Sequence, residues 1–274
     1  LNVTAGGSVT DGNSGDLDIS GGASFAGTSI TLGDSATADN SGNHDTHFGT
    51  LTFRSTGDVE IRQDSAMSLT GISTAASATL VSTGDVELGG SISSSTVNIT
   101  AGGSIAGTGL LSAATLTLDA QSGIGLIETE AIQLATQNLT AVTDTGSIAL
   151  QNRSDNNVTV NTLTTNAGSI SYLQEMPSGQ NTGGASLTTQ IVSAAADANQ
   201  AVDADQTANV NLTNQAGDIA LEGTISSKNL TVDASGSVTD GESGDLEISE
   251  GASFAGTSIT LGDNQENTTR FGTL

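Results

Sequence analysis

Apolar and polar residues alternate in short runs along this chain, and one short sequence motif, which we call the phrase, recurs. Apolar residues occupy its first and third positions with a polar residue between them, and a Gly-containing turn and another apolar residue follow. Clear copies begin at residues 1, 51, 78, 97 and 230. Alternation with a period of two is typical of strands that bury one face. The pattern therefore predicts many short strands joined by Gly-rich turns.

The interval between equivalent apolar positions is nearly constant. Several steps measure 19 or 20 residues: Ala78 to Val97, Val97 to Leu116, Leu139 to Val158 and Val210 to Leu230. A period of this size is typical of a solenoid, in which each coil buries its apolar face against its neighbours. We predict an all-β parallel β-helix with coils of about 19–20 residues and loop excursions. With coils ~4.8 Å apart, about 13 of them would form a rod on the order of 60 Å long.

A string of antiparallel sandwiches is the main alternative fold. Sandwich modules of the immunoglobulin type rely on a buried Trp or a disulfide, and their strands recur every 8 to 12 residues. The chain has no Trp and no Cys, and a 19-residue step has no place in a sandwich. The absence of Cys also excludes a disulfide scaffold and thiolate metal sites.

The sequence also contains a longer repeat, which includes many copies of the short one. Residues 1–34 and 230–263 are identical at 28 of 34 positions, at an offset of 229. We interpret residues 1–274 as a single β-helix segment in which 1–229 form one long unit and 230–274 begin the next copy. The expected parent is a long tandem array, of which this chain is a piece.

Two segments break the period. Residues 34–48 differ in length from the matching part of the second copy, which indicates a surface loop. The period also fails over 174–208, which holds the only Pro, Pro177, and an Ala-rich acidic run from Val192 to Val202. We interpret 174–208 as an excursion with one or two irregular coils, the run being a short helix or a loop, and a binding site there is the alternative.

Composition and charge limit both the core and the partners. Aromatic residues make up 2% of the chain, so the predicted core is thin and aliphatic. The formal charge is −25, with 30 acidic and 5 basic residues. Such a surface repels phosphate backbones and anionic lipid, so we expect no nucleic acid and no direct membrane insertion. No apolar run approaches the ~20 residues of a transmembrane helix, and no signal peptide is recognisable.

The polar position inside the phrase is nearly always Thr or Asn. Stacked coils would align these residues as an outward ladder of good strand formers, or as a flat face that binds carbohydrate or ice. The third-position partners vary, which weakens the ice interpretation. The predicted ladder consists of Asn2, Thr31, Thr52, Thr79, Asn98, Thr117, Thr140, Thr159, Asn211 and Thr231.

The repeat resembles that of filamentous haemagglutinin-type adhesins. The repeat pattern is clearest from Ala78 to Leu118. It consists of Leu-x-Val/Ile/Leu, followed by Gly-Ser/Asp-Ile/Val, then Gly-x-Ile and finally Val-x-Leu. The resemblance covers most of the chain outside 34–48 and 174–208. It implies a right-handed β-helix exported by a Gram-negative bacterium through an outer-membrane partner, hence a secreted, cell-surface protein. The family's N-terminal secretion domain and Asn-Pro-Asn signatures are absent here, and no binding residue is carried over.

Two clusters could hold a metal ion. His44, Asp45 and His47 are close in the first loop, but the second copy has no His, so exposed loop histidines are the simpler interpretation. The Gly-rich acidic turns at 11–16 and 240–245 offer oxygen ligands for Ca²⁺, although their spacing is not that of an EF-hand. We interpret them as solvated turns, with calcium as the alternative. No metal, cofactor-binding or catalytic residue is predicted.

An enzyme is a third functional hypothesis, beside the stalk and the binding module described in the next paragraph. Polysaccharide lyases and hydrolases also use β-helices, but they need clustered acids with Arg or Lys in a cleft. The five basic residues are scattered, with Arg54 and Arg62 the only near pair, and Glu128 and Glu130 are expected to face solvent. No Ser-His-Asp or Cys-His set exists.

These observations favour a mechanical function. We expect a stiff stalk in a long adhesin or fibre protein, in which each coil contacts its neighbours and the fragment itself is monomeric. A cell-surface glycan or protein receptor is a possible partner. A carbohydrate-binding module that uses the Thr/Asn face or the 174–208 excursion is the second hypothesis.

Overall fold

The computed structural model describes residues 1–12, 16–33, 46–127, 129–175, 185–195, 208–241, 243–262 and 268–273. Within these ranges the regular structure is entirely β-strand, arranged as a β-solenoid of about 10 coils. The predicted all-β parallel β-helix is therefore confirmed. None of the described segments forms a helix able to cross a membrane.

The described chain forms 26 strands, and every pairing between them is parallel. The first half comprises β1 (Asn2–Thr4), β2 (Val9–Thr10), β3 (Leu17–Gly27), β4 (Ile30–Leu32), β5 (Thr46–Ser55), β6 (Val59–Gln63), β7 (Met67–Leu69), β8 (Ile72–Thr74), β9 (Ser77–Ser82), β10 (Val86–Leu88), β11 (Ser91–Ser93), β12 (Thr96–Ala101) and β13 (Ile105–Ala106). The second half comprises β14 (Leu110–Ala120), β15 (Ile132–Thr143), β16 (Ile148–Asn152), β17 (Val158–Thr165), β18 (Ile170–Gln174), β19 (Leu187–Ala194), β20 (Asn209–Asn214), β21 (Ile219–Leu221), β22 (Thr224–Ala234), β23 (Val238–Thr239), β24 (Asp245–Ala255), β25 (Ile259–Thr260) and β26 (Thr269–Thr273).

The 19-residue step appears directly in the strand register. In β9 and β12, buried residues alternate with half-buried or exposed ones, so every second side chain points inward. Each inward residue pairs with its counterpart in the next coil, and all members of the clearest column are at most 2% exposed. This column consists of Val59, Ala78, Val97, Leu116 and Leu139. Stacked aliphatic side chains of this kind supply the apolar burial that stabilises a solenoid.

The regular step does not extend over the whole chain. The mean spacing is roughly 22 residues, and about 10 coils form where the sequence predicts about 13. The expected pairing of Leu139 with Val158 is wrong: Leu139 pairs with Val160, and the register shifts by one further residue between Leu139 and Thr140. On the other side of β17, Val158 pairs with Leu187, and Leu187 with Ile219, across the region where the sequence period fails.

Parts of the two predicted excursions are strands. Residues 46–48 open β5, and β19 lies inside 174–208, where it pairs with β17 and β21. The start of the Ala-rich run, residues 192–194, is the end of β19. Residues 34–45, 176–184 and 196–207, which contain the rest of both excursions, lie outside the described residues.

The core is aliphatic with an aromatic minority that composition did not predict. Phe25, Phe48, Phe53 and Tyr172 are each at most 2% exposed. The rings of Phe25 and Phe48 meet edge to face at 5.3 Å. The second copy repeats this arrangement, with Phe254 and Phe271 at 5.7 Å. The long sequence repeat is therefore also a repeat of core packing.

A ladder of buried polar side chains runs through the middle of the solenoid. Asn152, Gln174 and Asn214 are register neighbours in three successive coils, and each is 0% exposed. We name these three residues the inner amide ladder. The Nδ2 of Asn152 donates to the Thr136 carbonyl at 3.0 Å and to Gln174 Oε1 at 3.0 Å. The Thr136 amide donates back to Asn152 Oδ1 at 2.9 Å.

The inner amide ladder also satisfies neighbouring polar groups. The Tyr172 hydroxyl donates to Gln174 Oε1 at 2.7 Å, and burial raises the pKa of this phenol above its usual value. Asn214 donates to the carbonyls of Ala185 and Asp218 at 3.0 and 2.8 Å. Because buried polar groups are costly unless hydrogen-bonded, the ladder fixes the backbone of several coils at once.

Tight turns between strands place some glycines where no other residue fits. Gly146 has a φ of +78°, in the left-handed region. A Cβ at this position would lie 2.2 Å from the carbonyl oxygen of Ser122 in the adjacent coil. Conformation and close coil-to-coil approach both require glycine here.

Candidate binding groove

The ten residues of the predicted Thr/Asn ladder do not form one column. Thr79, Asn98, Thr117 and Thr140 are register neighbours on four consecutive coils and are half-buried. Asn2 and Thr52 belong to a different column, joined through Ser24, and Asn211 and Thr231 pair elsewhere. Thr31 is separated from Thr79 by Glu60, and Thr159 pairs with Asn138. The expectation that they stack as one continuous outward ladder is therefore wrong, and the alternative of a flat face made by all ten has no basis in the register.

The acidic Gly-rich turns hold coils together. Asp11 accepts a hydrogen bond from the Gly33 amide at 2.6 Å, and Asp240 accepts one from Gly262. Asp240 is 0% exposed, so the expectation of a solvated turn is wrong for this residue. Its Oδ1 has no hydrogen-bond partner in the described structure. The described residues contain no group of three His, Cys, Asp or Glu suited to a metal ion, and residues 13–15 and 242 lie outside them.

Other Gly-Asp turns clamp the turn of the next coil. The Oδ1 of Asp85 accepts hydrogen bonds from the Ser104 amide at 2.6 Å and the Ser104 hydroxyl at 2.9 Å. Asp218 accepts the same pair from Ser237 at 2.7 and 2.8 Å. These hydrogen bonds hold the pKa of each carboxyl below its usual value, and the bond from the backbone amide has the larger effect. The recurring Gly-Ser and Gly-Asp phrases therefore include a contact between coils.

These two clamps predict a pH-dependent contribution to stability. A carboxyl whose pKa is lower in the folded state stabilises the fold at pH values above its unfolded-state pKa. This stabilisation is lost as the pH falls through the folded-state pKa. The double variant Asp85→Ala/Asp218→Ala should melt below the original chain at pH 7. The difference should shrink below about pH 4, where the unfolded carboxyl takes up its proton. Circular dichroism melts measure this, with exposed Asp119→Ala as control; a difference that is constant down to acid pH would contradict the clamp.

The remaining predicted residues are dispersed. His47 contacts Asp18 at 3.1 Å, whereas His44 and Asp45 lie outside the described residues. Arg54 and Arg62 are on different strands, β5 and β6, and Arg62 is paired with Glu60 at 2.9 Å. Glu130 is half-buried, and residue 128 lies outside the described structure.

A groove that sequence reasoning missed crosses four coils near the second break in the period. It encloses about 460 Å³, within the usual range of ligand sites. Ala195 and Ala208, which flank the segment 196–207, line one wall. The polar lining comes from β19, β22, β24 and β26 and includes Ser193, Ser226, Ser227, Lys228, Glu247 and Arg270.

Strand register explains why these side chains meet. Ser193 pairs with Ser226, Ser226 with Glu247, and Glu247 with Arg270, so these four form one column across the groove. The register of β22 and β24 shifts at Lys228, between Ser227 and Asn229. Irregularities of this kind re-aim side chains and are frequent beside functional sites. Lys228 lies at this irregularity and lines the groove.

In the first copy of the long repeat, Asp18 and His47 occupy the positions of Glu247 and Arg270, as the register of β3 with β5 shows.

The fold and the groove define an acidic β-solenoid with a polar groove whose lining includes Lys228 and Arg270. Comparison of the chain with protein-family profiles, curated proteins and solved structures finds no match.

Proposed function

We propose that this chain is a β-helical stalk segment of a long adhesin or fibre protein on the surface of a Gram-negative bacterium. The observation that carries the proposal is the continuous parallel stack, in which one aliphatic column and its ladder of hydrogen bonds pass from coil to coil. A solenoid of this kind resists bending because each coil is bonded to two neighbours. Such a stalk would hold binding regions away from the cell. Its charge of −25 would oppose lateral association with its neighbours.

The stalk is tested by extending it. A chain in which residues 1–229 precede the full 1–274 should be a single longer rod, because residue 229 is naturally followed by a near copy of residues 1–33. Small-angle scattering should show the maximum dimension rising by roughly 50 Å for the added unit, at unchanged cross-section. An increased cross-section, or two bodies that move independently, would contradict the stalk.

The surface location has its own test. In a bacterium that produces the protein, antibodies to the chain should label intact cells, and external protease should remove the label. Labelling only after the cells are opened would contradict a secreted, cell-surface protein.

A carbohydrate-binding module is the second candidate, favoured by the groove at the ends of segment 196–207. A glycan array with the chain tests it, compared with a variant altered at the groove. Deletion of 175–207 is unsuitable because it would remove β19 from the stack.

A further inference from the structure

We propose that Asn157 is an acceptor site for N-linked glycosylation. It begins the motif Asn157-Val158-Thr159, and Asn-x-Ser/Thr, where x is not Pro, is the sequence that N-glycosyltransferases recognise. Short motifs of this kind recur by chance in a chain rich in Thr and Ser, so the structure has to show which copy an enzyme can reach. The inference holds for a stalk and for a binding module alike.

The surroundings of the described copies of the motif set Asn157 apart. Asn2 is exposed but belongs to strand β1. Asn152 ends β16, is 0% exposed and donates within the inner amide ladder. Asn157 is the described copy that is both exposed and outside a strand, and the copy at 267 lies outside the described residues. Four further copies are half-buried in strands that pair with a coil on each side: Asn98, Asn138, Asn211 and Asn229.

The start of β17 presents the motif at the surface. Val158 is 0% exposed in the core, and continued strand alternation places Asn157 and Thr159 together on the outward side. Asp155 and Asn156, which precede the acceptor, are exposed as well. An enzyme can therefore approach the acceptor along this turn without opening the coil stack.

The orientation of the Asn157 side chain is compatible with an attached sugar. Its Oδ1 accepts a hydrogen bond from the Ser186 amide in the next coil at 3.1 Å. Because this partner is a donor, the oxygen must lie at that end of the side-chain amide, and the nitrogen lies at the other end. Glycosylation replaces one hydrogen on Nδ2 and leaves the oxygen as an acceptor. The contact with Ser186 is therefore retained in the modified chain.

The reaction is a glycosyl transfer from a sugar that is carried on a diphosphate. The Nδ2 of Asn157 bonds to the anomeric carbon of the sugar, while the bond from that carbon to the phosphate oxygen breaks. The phosphate leaves with the electron pair, and Nδ2 loses one proton. The producing cell supplies the transferase and the donor. A nucleotide-linked donor adds a single hexose, whereas a lipid-linked donor adds a preassembled oligosaccharide.

The test exposes the folded full chain to UDP-glucose and a transferase specific for Asn-x-Ser/Thr. Fragment mass spectrometry should place a hexose on Asn157. Occupancy at Asn157 should exceed that at Asn152 by at least about tenfold, because Asn152 is reached only while its coil is locally unfolded. A synthetic peptide of residues 149–163, which lacks the neighbouring coils, should accept the sugar at both positions.

Variants of the third residue of the motif are the matched controls. Thr159→Ser keeps the motif and should keep the modification, whereas Thr159→Ala should lose it while the acceptor is unchanged. If Thr159→Ala loses its β-type circular dichroism, Asn157→Gln provides the comparison. Equal modification of Thr159→Ala and the original chain would overturn recognition of the motif.

The remaining outcomes decide whether the folded chain carries the site. Modification of the peptide but not of the folded chain would overturn it, as would equal occupancy at Asn157 and Asn152. In protein isolated from the bacterium that produces it, Asn157 should carry the sugar. The added mass, one hexose or an oligosaccharide, then identifies the donor, and an unmodified Asn157 in that material would overturn the proposal.

Discussion

Replacement of Asn152 by alanine is expected to lower the free energy of unfolding by about 4 kcal/mol, because at least two buried groups would lose a partner at roughly 1–3 kcal/mol each. The alanine leaves the Thr136 amide and carbonyl without the amide that now bonds both. It also removes one donor from Gln174 Oε1 and the donor to the Tyr172 hydroxyl oxygen. Water cannot replace these bonds easily, since Asn152 and Gln174 are 0% exposed.

Urea unfolding followed by circular dichroism measures this loss. Because a solenoid is held together between neighbouring coils, the damage should be local as well. Hydrogen exchange should accelerate most at the Thr136 amide and in β16 and β18. Asn98→Ala is the matched control, since Asn98 is a half-buried member of the outward column, and a change within about 0.5 kcal/mol is expected. Similar losses for the two variants would show that the inner amide ladder has no special role.

Replacement of Gly146 by alanine should destabilise the chain by about 3 kcal/mol or more. The left-handed φ of +78° costs a residue with a Cβ about 1–2 kcal/mol. The Cβ would also stand 2.2 Å from the Ser122 oxygen, so two adjacent coils would have to separate. A backbone carbonyl cannot rotate away as a side chain can, and the steric part is therefore added to the conformational part.

Two other glycines separate these contributions. Gly109→Ala would place a Cβ within 1.9 Å of the Gly90 oxygen without a positive φ, so it reports the clash alone. Gly6→Ala meets nothing within 4 Å and should leave the thermal midpoint almost unchanged. The expected order of destabilisation is Gly146, then Gly109, then Gly6. Equal midpoints for Gly146→Ala and Gly6→Ala would contradict close packing of the turns.

The coil architecture could be predicted because its signal is local and repeated. From Val59 to Leu116, each apolar position recurs after 19 residues, and the structure pairs these positions in the same order. The number of coils could not be predicted, because insertions and the register shift after Leu139 leave no apolar signature.

The inner amide ladder was missed although the sequence contained a signal. Asn152 follows Leu150 by two residues, and Gln174 follows Tyr172 by two, so strand alternation already placed both side chains inward. A polar residue at an inward position of a repeat is better interpreted as a hydrogen-bonded core residue.

The groove had no comparable signal. Ser193, Lys228 and Arg270 belong to different coils and share no motif or spacing. Their proximity depends on the parallel stacking of β19, β22, β24 and β26. The sequence indicated that the 174–208 region departs from the regular repeat, with a binding site there as the alternative.

The twin Phe pairs, Phe25 with Phe48 and Phe254 with Phe271, have a consequence for inheritance. Recombination between the DNA stretches that encode the two copies would delete or duplicate whole 229-residue blocks. Each new joint would bring together the same aromatic pair and the same strand register. The length of the proposed stalk would then change in steps of one whole unit.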